Sequence, residues 1–306
     1  MSWLLFVEQC LNGLQFGLML FLLAAGLTLV FGIMDLINLA HGSLYMVGAY
    51  LTATLTQATG SFALALPLAV VATGVLGMLL EVAVLRHLYR RDHLSQVLAT
   101  FALILIANET VRAIWGVQSL SLSVPDALSG SVEILPGLVY PAFRLLIIAV
   151  GVAVAVLLYV LVEHTRVGML VRAGASNREM AMAMGTNIPA LFTAVFGAGA
   201  ALCALAGAML GPLLAVQPGM GENILILAFV VVVIGGIGSI RGAFVGAILV
   251  GLTDTFGRAF IPLTLKQVLS VSLADAAGPS LAAISIYLIM VVVLFWKPQG
   301  LFPARG

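Results

Sequence analysis

The chain has 306 residues, 62% of them hydrophobic and 8% charged, with a formal net charge of +1 and a mean hydropathy of +1.20. Soluble domains run at roughly 45–50% apolar and about 25% charged residues, so this chain cannot cover itself in water and lipid must solvate most of its outer face. The same balance excludes a nucleic-acid binder, which needs a basic surface that 13 Lys and Arg against 12 Asp and Glu do not supply.

In chain order, the N-terminus reads MSWLLFVEQC. It lacks the basic n-region of a signal peptide, and Glu8 lies where that region would be positive, so the first apolar run is expected to remain as a span. A span needs about 20 mostly apolar residues. Candidates fall at 11–34, 36–58, 62–85, 94–115, 141–162, 189–214, 223–238, 241–260 and 280–296. The pairs 11–34/36–58 and 223–238/241–260 are closely spaced, and each either crosses twice or holds a re-entrant half-helix. The runs are continuous rather than alternating, which argues against a closed barrel. The expected fold is an all-α polytopic membrane protein, a single transmembrane domain over 1–306 with about eight or nine segments, some of them broken or re-entrant. Cys10 and Cys203 sit in apolar surroundings without a CxxC, so neither a disulfide nor a metal site is expected.

Lys and Arg set the orientation. If every segment crosses, Arg86, Arg90, Arg91, Arg166, Arg172, Arg178, Arg241, Lys297 and Arg305 share one side, and Arg112, Arg144, Arg258 and Lys266 the other. The richer side is assigned to the cytoplasm, with the N-terminus outside. The outer stretch 116–140 begins VQSLSLSV, alternating with period two, and continues through Pro125, Gly130, Pro136 and Gly137. It reads as a short β-hairpin or a capping loop, facing either a delivery protein or only the helix ends beneath it.

The longest inner connection, 163–188, reads EHTRVGMLVRAGASNREMAMAMGTNI. Ser176 and Glu179 have the spacing of a capping box, in which Ser176 accepts from the Glu179 amide. Good helix formers follow, and Gly185 suits the C-terminal end. A short amphipathic helix between spans on the basic side is either a capped surface helix or a docking element for a partner.

Asp35, Asn38, His41 and Ser43 interrupt an apolar region, and Gly42 lets the backbone open there. Polar groups in lipid are costly and tend to face protein or water, and unwound backbone at membrane depth is tolerated only in such places. Asn38, His41, Gly42 and Ser43 are therefore candidates for a transport route, the alternative being an ordinary wet turn. The second break is Gly235-Gly236-Ile237-Gly238. No Gly-Lys-Ser/Thr follows, so it is not a P-loop; close helix approach is expected at Gly235, Gly236 and Gly238 and along Gly242, Gly246, Ala247 and Gly251. HGSLYMVGAYL (41–51) and RGAFVGAILVGL (241–252) hint at two related halves, and paired breaks point to a transport site. Glu109 with Arg112 and Asp254 with Arg258 read as local ion pairs, and Glu81 lies within reach of Arg86. No HExxH is present and the four histidines, His41, His87, His93 and His164, are scattered, so no catalytic or metal constellation is expected.

Four stretches together resemble the LivH-like permeases of high-affinity branched-chain amino acid ABC importers: NLAHGSLYMVGAY at 38–50, RVGMLVRA with NREMAMAMG across 166–185, AFVVVVIGGIGSIRGAFVGAILVG at 228–251, and WKPQGLFP at 296–303. Glu179-Met180-Ala181, ending at Gly185, is similar to the Glu-Ala-Ala…Gly signature of ABC-importer coupling helices, with Met for the first Ala. The resemblance implies an ABC-importer permease fold and coupling to the ATPase through Arg172, Ser176, Asn177, Arg178, Glu179 and Gly185. It implies a second homologous permease subunit, two cytoplasmic ATPases that bind ATP and Mg, a periplasmic binding protein, and the bacterial inner membrane. It implies no cofactor on this chain and a cargo of branched-chain or related small amino acids, with urea or short amides as the alternative. An ion-coupled secondary transporter is the competing class. One departure stands out: the family commonly has Pro where this chain has Arg241.

Overall fold

The protein is described by a computed structural model covering residues 3–89, 91–267 and 269–302. Eleven α-helices carry the chain among these residues. They are α1 (Trp3–Met34), α2 (His41–Thr59), α3 (Phe62–Ala83), α4 (His93–Trp115), α5 (Ala142–His164), α6 (Arg166–Ser176), α7 (Arg178–Ala183), α8 (Ile188–Leu210), α9 (Met220–Gly235), α10 (Ile240–Leu265) and α11 (Val271–Trp296). Seven of them, α1, α3, α4, α5, α8, α10 and α11, are long and apolar enough to cross a bilayer. The 19-residue α2 and the 16-residue α9 fall short of that mark and fill the two places where the sequence left crossing and re-entry open.

Two helix starts lie further upstream than the hydropathy runs indicated. α1 begins at Trp3 rather than 11, because only Glu8, Gln9 and Asn12 interrupt an apolar stretch there. α11 begins at Val271 rather than 280. It carries Pro279 inside the helix, and its first turns are tied to the end of α10 by the Lys266–Asp275 ion pair at 2.8 Å. Segment 36–58 starts later, at His41, because Asp35 adopts φ 52°, ending α1, and residues 35–40 form a turn.

α1 is the central helix. It is buried from Leu18 through Thr28, and α8, α10, α5 and α9 pack around it. Glycines set the closeness of this packing. A Cβ on Gly17 would meet the Ala247 carbonyl at 2.8 Å, and one on Gly26 would meet the Gly199 carbonyl at 2.9 Å. Lipid is as apolar as any side chain, so packing rather than water exclusion drives such contacts, and small residues permit it. By contrast α5 and α11 bury few of their apolar side chains, and Val156, Leu157, Leu288 and Val291 are exposed.

The loops sort to two ends. At one end, Tyr140 and Arg144 donate to Asn12 near the start of α1, and Leu120 pairs with Val216. At the other, Arg178 reaches Ile33, Tyr89 reaches Met34, and Arg241 pairs with Glu163. Loops 84–92 and 165–187 thus share an end, opposite to 116–141. The hairpin expected in the outer loop is present, but downstream of the alternating run. β1 (Ser131–Leu135) and β2 (Leu138–Pro141) pair antiparallel around Pro136-Gly137, while 117–124 forms no strand and makes only the single Leu120–Val216 bridge. Alternation alone does not make a strand where no second strand lies beside it.

Candidate functional site: an exposed loop helix and two helix breaks

The inner loop folds as two helices, not one. Thr165 caps α6 by accepting from the Gly168 amide at 3.3 Å, and Ser176 is the last residue of α6. The capping box of Ser176 and Glu179 is not formed. Asn177 is the cap of α7, accepting from the Met180 amide at 2.9 Å, and its extended φ of −153° makes the joint between the helices. Both residues suit an N-cap; the stop of α6 decides which one is used. Gly185 takes φ 86° at the C-terminal end, as the sequence implied.

The amphipathic loop presents a definite outward face. Ser176, Asn177, Glu179, Met180, Met182, Ala183, Met184 and Gly185 are exposed, as is Arg172, which donates to the Val162 carbonyl. Met184 is 80% exposed and Met180 61%. Three unbranched thioether side chains within the five residues 180–184, two on α7 and Met184 at its C-cap, make an adaptable exposed apolar surface. By sequence Met182 and Met184 read as helix formers and Met180 stands for the first Ala of the Glu-Ala-Ala signature; nothing in that reading marks all three as exposed. Arg178, counted among the docking residues, instead points into the bundle.

The first break is buried. Asn38 and His41 are 0% exposed and Ser43 8%. The Asn38 side chain accepts from the Ala40 amide at 3.1 Å and closes the turn. The His41 ring fits between two small residues: a Cβ on Gly26 would meet its Nε2 at 2.8 Å, and one on Gly199 its Cε1 at 3.4 Å. Neither ring nitrogen makes a hydrogen bond of regular geometry to the described residues, although the Leu23 backbone lies beside the ring. Asn38 Nδ2 also lacks a partner among the described residues. A buried polar group left unpaired costs about 1–3 kcal/mol, so these residues do not serve packing best.

The second break frames α9. Gly219 (φ 85°) precedes the helix and Gly236 (φ 106°) follows it, conformations that favour glycine. Each end of α9 crosses another helix through paired glycines. A Cβ on Gly42 would run into the Gly221 carbonyl, and a Cβ on Gly235 into the Gly242 carbonyl. Gly238 lies against Gly32. The first turns of α2 and α10, which the sequence comparison of 41–51 with 241–252 set side by side, thus grip opposite ends of α9. The C-terminal WKPQGLF stretch completes the arrangement, because the amides of Leu301 and Phe302 donate to the Ile234 and Gly235 carbonyls at 2.8 and 2.9 Å. These are carbonyls the end of α9 leaves without intrahelical partners.

On the open face of α9, Glu222 and Asn223 are exposed. Asn108 of α4 donates to Glu222 Oε1 at 2.6 Å and accepts from the Gly219 amide at 3.1 Å. Asn108 lies seven residues before the end of α4, roughly 10 Å along a helix. A carboxylate at such depth requires water or protein beside it rather than lipid.

At Arg241 the departure from the family's Pro has a visible consequence. Ser239 caps α10 by accepting from the Gly242 amide at 3.1 Å, so position 241 lies in the first turn, where Pro is tolerated. Arg241 instead pairs with Glu163 at 3.1 Å and lies over the Tyr159 ring at 5.3 Å, tying α10 to α5. The local pairs expected at Glu109/Arg112, Asp254/Arg258 and Glu81/Arg86 all form.

A bundle of long apolar helices interrupted by paired breaks, with an amphipathic element at one end, defines a multi-pass membrane permease. The chain belongs to the family of branched-chain amino acid transport system permease components, whose pattern it matches over residues 9–294. It is 28% identical over 310 aligned positions to the high-affinity branched-chain amino acid transport system permease protein BraD of Pseudomonas aeruginosa, covering 97% of this chain and 95% of the relative. It is 26% identical to the corresponding LivH of Escherichia coli K12, covering 89% and 92%. It is also 28% identical to a probable LivH of Methanocaldococcus jannaschii over 78% and 76%. No solved structure gives a significant match. The relatives are named as transport components, in keeping with a chain read as a permease and not an enzyme.

Proposed function

We propose that this chain is the translocating subunit of an ABC importer for branched-chain or related small amino acids in a bacterial inner membrane. It works with a second homologous permease subunit, two cytoplasmic ATPases that bind ATP and Mg, and a periplasmic binding protein. The observation that carries the reading is the match along nearly the whole chain to relatives named for that transport. The exposed methionine face of 180–184 supports it as the surface received by the ATPase, with Arg172, Ser176, Asn177, Glu179 and Gly185 around it.

In this reading the transport route opens along α9. Glu222 and Asn223 line its open face, and Asn38, His41 and Ser43 stand behind the Gly42–Gly221 crossing, where separation of α2 from α9 admits the cargo. Gly235, Gly236 and Gly238 form the lower hinge of the same helix. The buried His41 ring nitrogens and Asn38 Nδ2 gain hydrogen-bond partners once that crossing opens.

The test is uptake into proteoliposomes holding the full complex, with labelled leucine and labelled urea offered separately. Leucine uptake that needs ATP and the binding protein is the expected result. Urea as the transported solute would reassign the cargo. Uptake driven by a proton or sodium gradient without ATP would overturn the class.

A further inference from the structure

Arg178 sits on the docking helix, yet its guanidinium faces the membrane bundle. Nη2 donates to the Ile33 carbonyl at 2.9 Å, and the guanidinium carbon lies 5.3 Å from the centre of the Phe192 ring. Ile33 is in the last turn of α1, where carbonyls lack intrahelical partners and a cation is favoured by the helix dipole. Two residues further on, Asp35 takes φ 52° and the turn to Asn38 and His41 begins.

Phe192 opens the other side of the contact. Its ring meets Tyr89 edge-on with centroids 5.5 Å apart. The Tyr89 hydroxyl donates to Glu81 Oε1 at 2.8 Å and lies 3.5 Å from the Met34 sulfur. Glu81 is wholly buried and also accepts from Arg86 at 3.0 Å and Thr193 at 2.6 Å. The end of α1, the end of α3, the 84–92 turn and the start of α8 are thereby tied into one knot, and Arg178 is where α7 holds it.

We propose that Arg178 is the positioning residue that carries displacement of α7 into the 35–41 break. The proposal rests on α7 being the element the ATPase receives. The methionine patch can give affinity, but apolar contacts slide and set no direction. A guanidinium held by a carbonyl on one edge and a ring on one face transmits both push and rotation. Lys at this position keeps the donor and loses the planar contact.

The experiment uses the full complex in proteoliposomes and reads ATPase association, ATP hydrolysis and leucine uptake together. Arg178→Ala is expected to keep association within about twofold, because the side chain faces away from the docking surface, while uptake per ATP hydrolysed falls about tenfold, the equivalent of losing one charge-assisted hydrogen bond. Arg178→Lys recovers part of that ratio. Phe192→Leu, which removes the ring and spares the hydrogen bond, gives an intermediate loss and serves if Arg178→Ala does not assemble. An unchanged ratio in Arg178→Ala, or in Phe192→Leu where the former is lost, overturns the proposal. So does a loss of association as large as the loss of uptake, which would make Arg178 a docking residue. The docking reading fails separately: in a Met180→Ser, Met182→Ser double variant, association at full strength would exclude α7 as the received element.

Discussion

The cap of α7 offers a measurement that separates residues adjacent in sequence. Asn177→Ala removes the side-chain acceptor that holds the Met180 amide at 2.9 Å. The loss of such a cap costs about 0.5–2 kcal/mol, typically near 1. α7 spans only Arg178–Ala183, too short to persist without its caps and its contacts to the bundle. The cost therefore appears as fraying of α7, not as unfolding of the protein. A change of about 1 kcal/mol is roughly a fivefold change in an equilibrium, and a partner that binds only the ordered helix shows it as a Kd weaker by up to about fivefold, the limit reached when the free helix is mostly frayed. Ser176→Ala changes an exposed residue at the end of α6 that takes no part in the α7 cap, so association stays within twofold. The assay is titration of purified ATPase against detergent-solubilised permease. Weaker binding in Ser176→Ala than in Asn177→Ala would refute the assignment of the cap and return it to the Ser176/Glu179 pair.

Three further outcomes are expected. Gly42→Ala drives a methyl group into the Gly221 carbonyl and against Leu225 Cβ at 3.0 Å; overpacking costs about 1–3 kcal/mol, so thermal stability in detergent falls, while Gly130→Ala, which meets open space, leaves it unchanged. Glu81→Leu removes the carboxylate that Tyr89, Arg86 and Thr193 share; the Thr193 hydroxyl keeps Arg86 and the Pro189 carbonyl, but the Tyr89 hydroxyl is left with its weak 3.5 Å contact to the Met34 sulfur, and stability falls by about 1–3 kcal/mol, less than a fully buried pair would cost because the Arg86 side chain is 38% exposed and reaches water; equal stability of Glu81→Leu and wild type in a thermal-shift series would show that the knot holds nothing. With Cys10 replaced by Ser, an impermeant maleimide added to intact cells labels a cysteine at exposed Glu133 and not one at exposed Arg172; the reverse pattern would invert the topology.

Hydropathy located the seven long apolar helices among the described residues and marked the places of α2 and α9, since a bilayer demands length and apolarity of each span and little else. The charged residues placed 163–188 and 116–140 at opposite ends, and the four matching stretches pointed to the permease family. Local pairs such as Asp254 with Arg258 were legible because helix spacing brings residues four apart onto one face. Single-position stops were less so. Whether Ser176 or Asn177 caps α7 depends on where α6 ends, and that depends on the burial of Val171 and Gly174 against the bundle. The direction of Arg178 and the exposure of Met180, Met182 and Met184 could not be read from a loop whose residues 180–184 are all apolar, because only the packed neighbours say which face is covered. Close approach around Gly235 and Gly242 was legible in the Gly-rich stretch that joins them, but tertiary structure alone brought Gly42 to Gly221, across a sequence separation that no local pattern spans. It also set Glu222 beside Asn108 and His41 between Gly26 and Gly199. In lipid the apolar pattern says that a helix is embedded but not which side meets a neighbour, and that choice rests on the fit of small residues between helices distant in the chain.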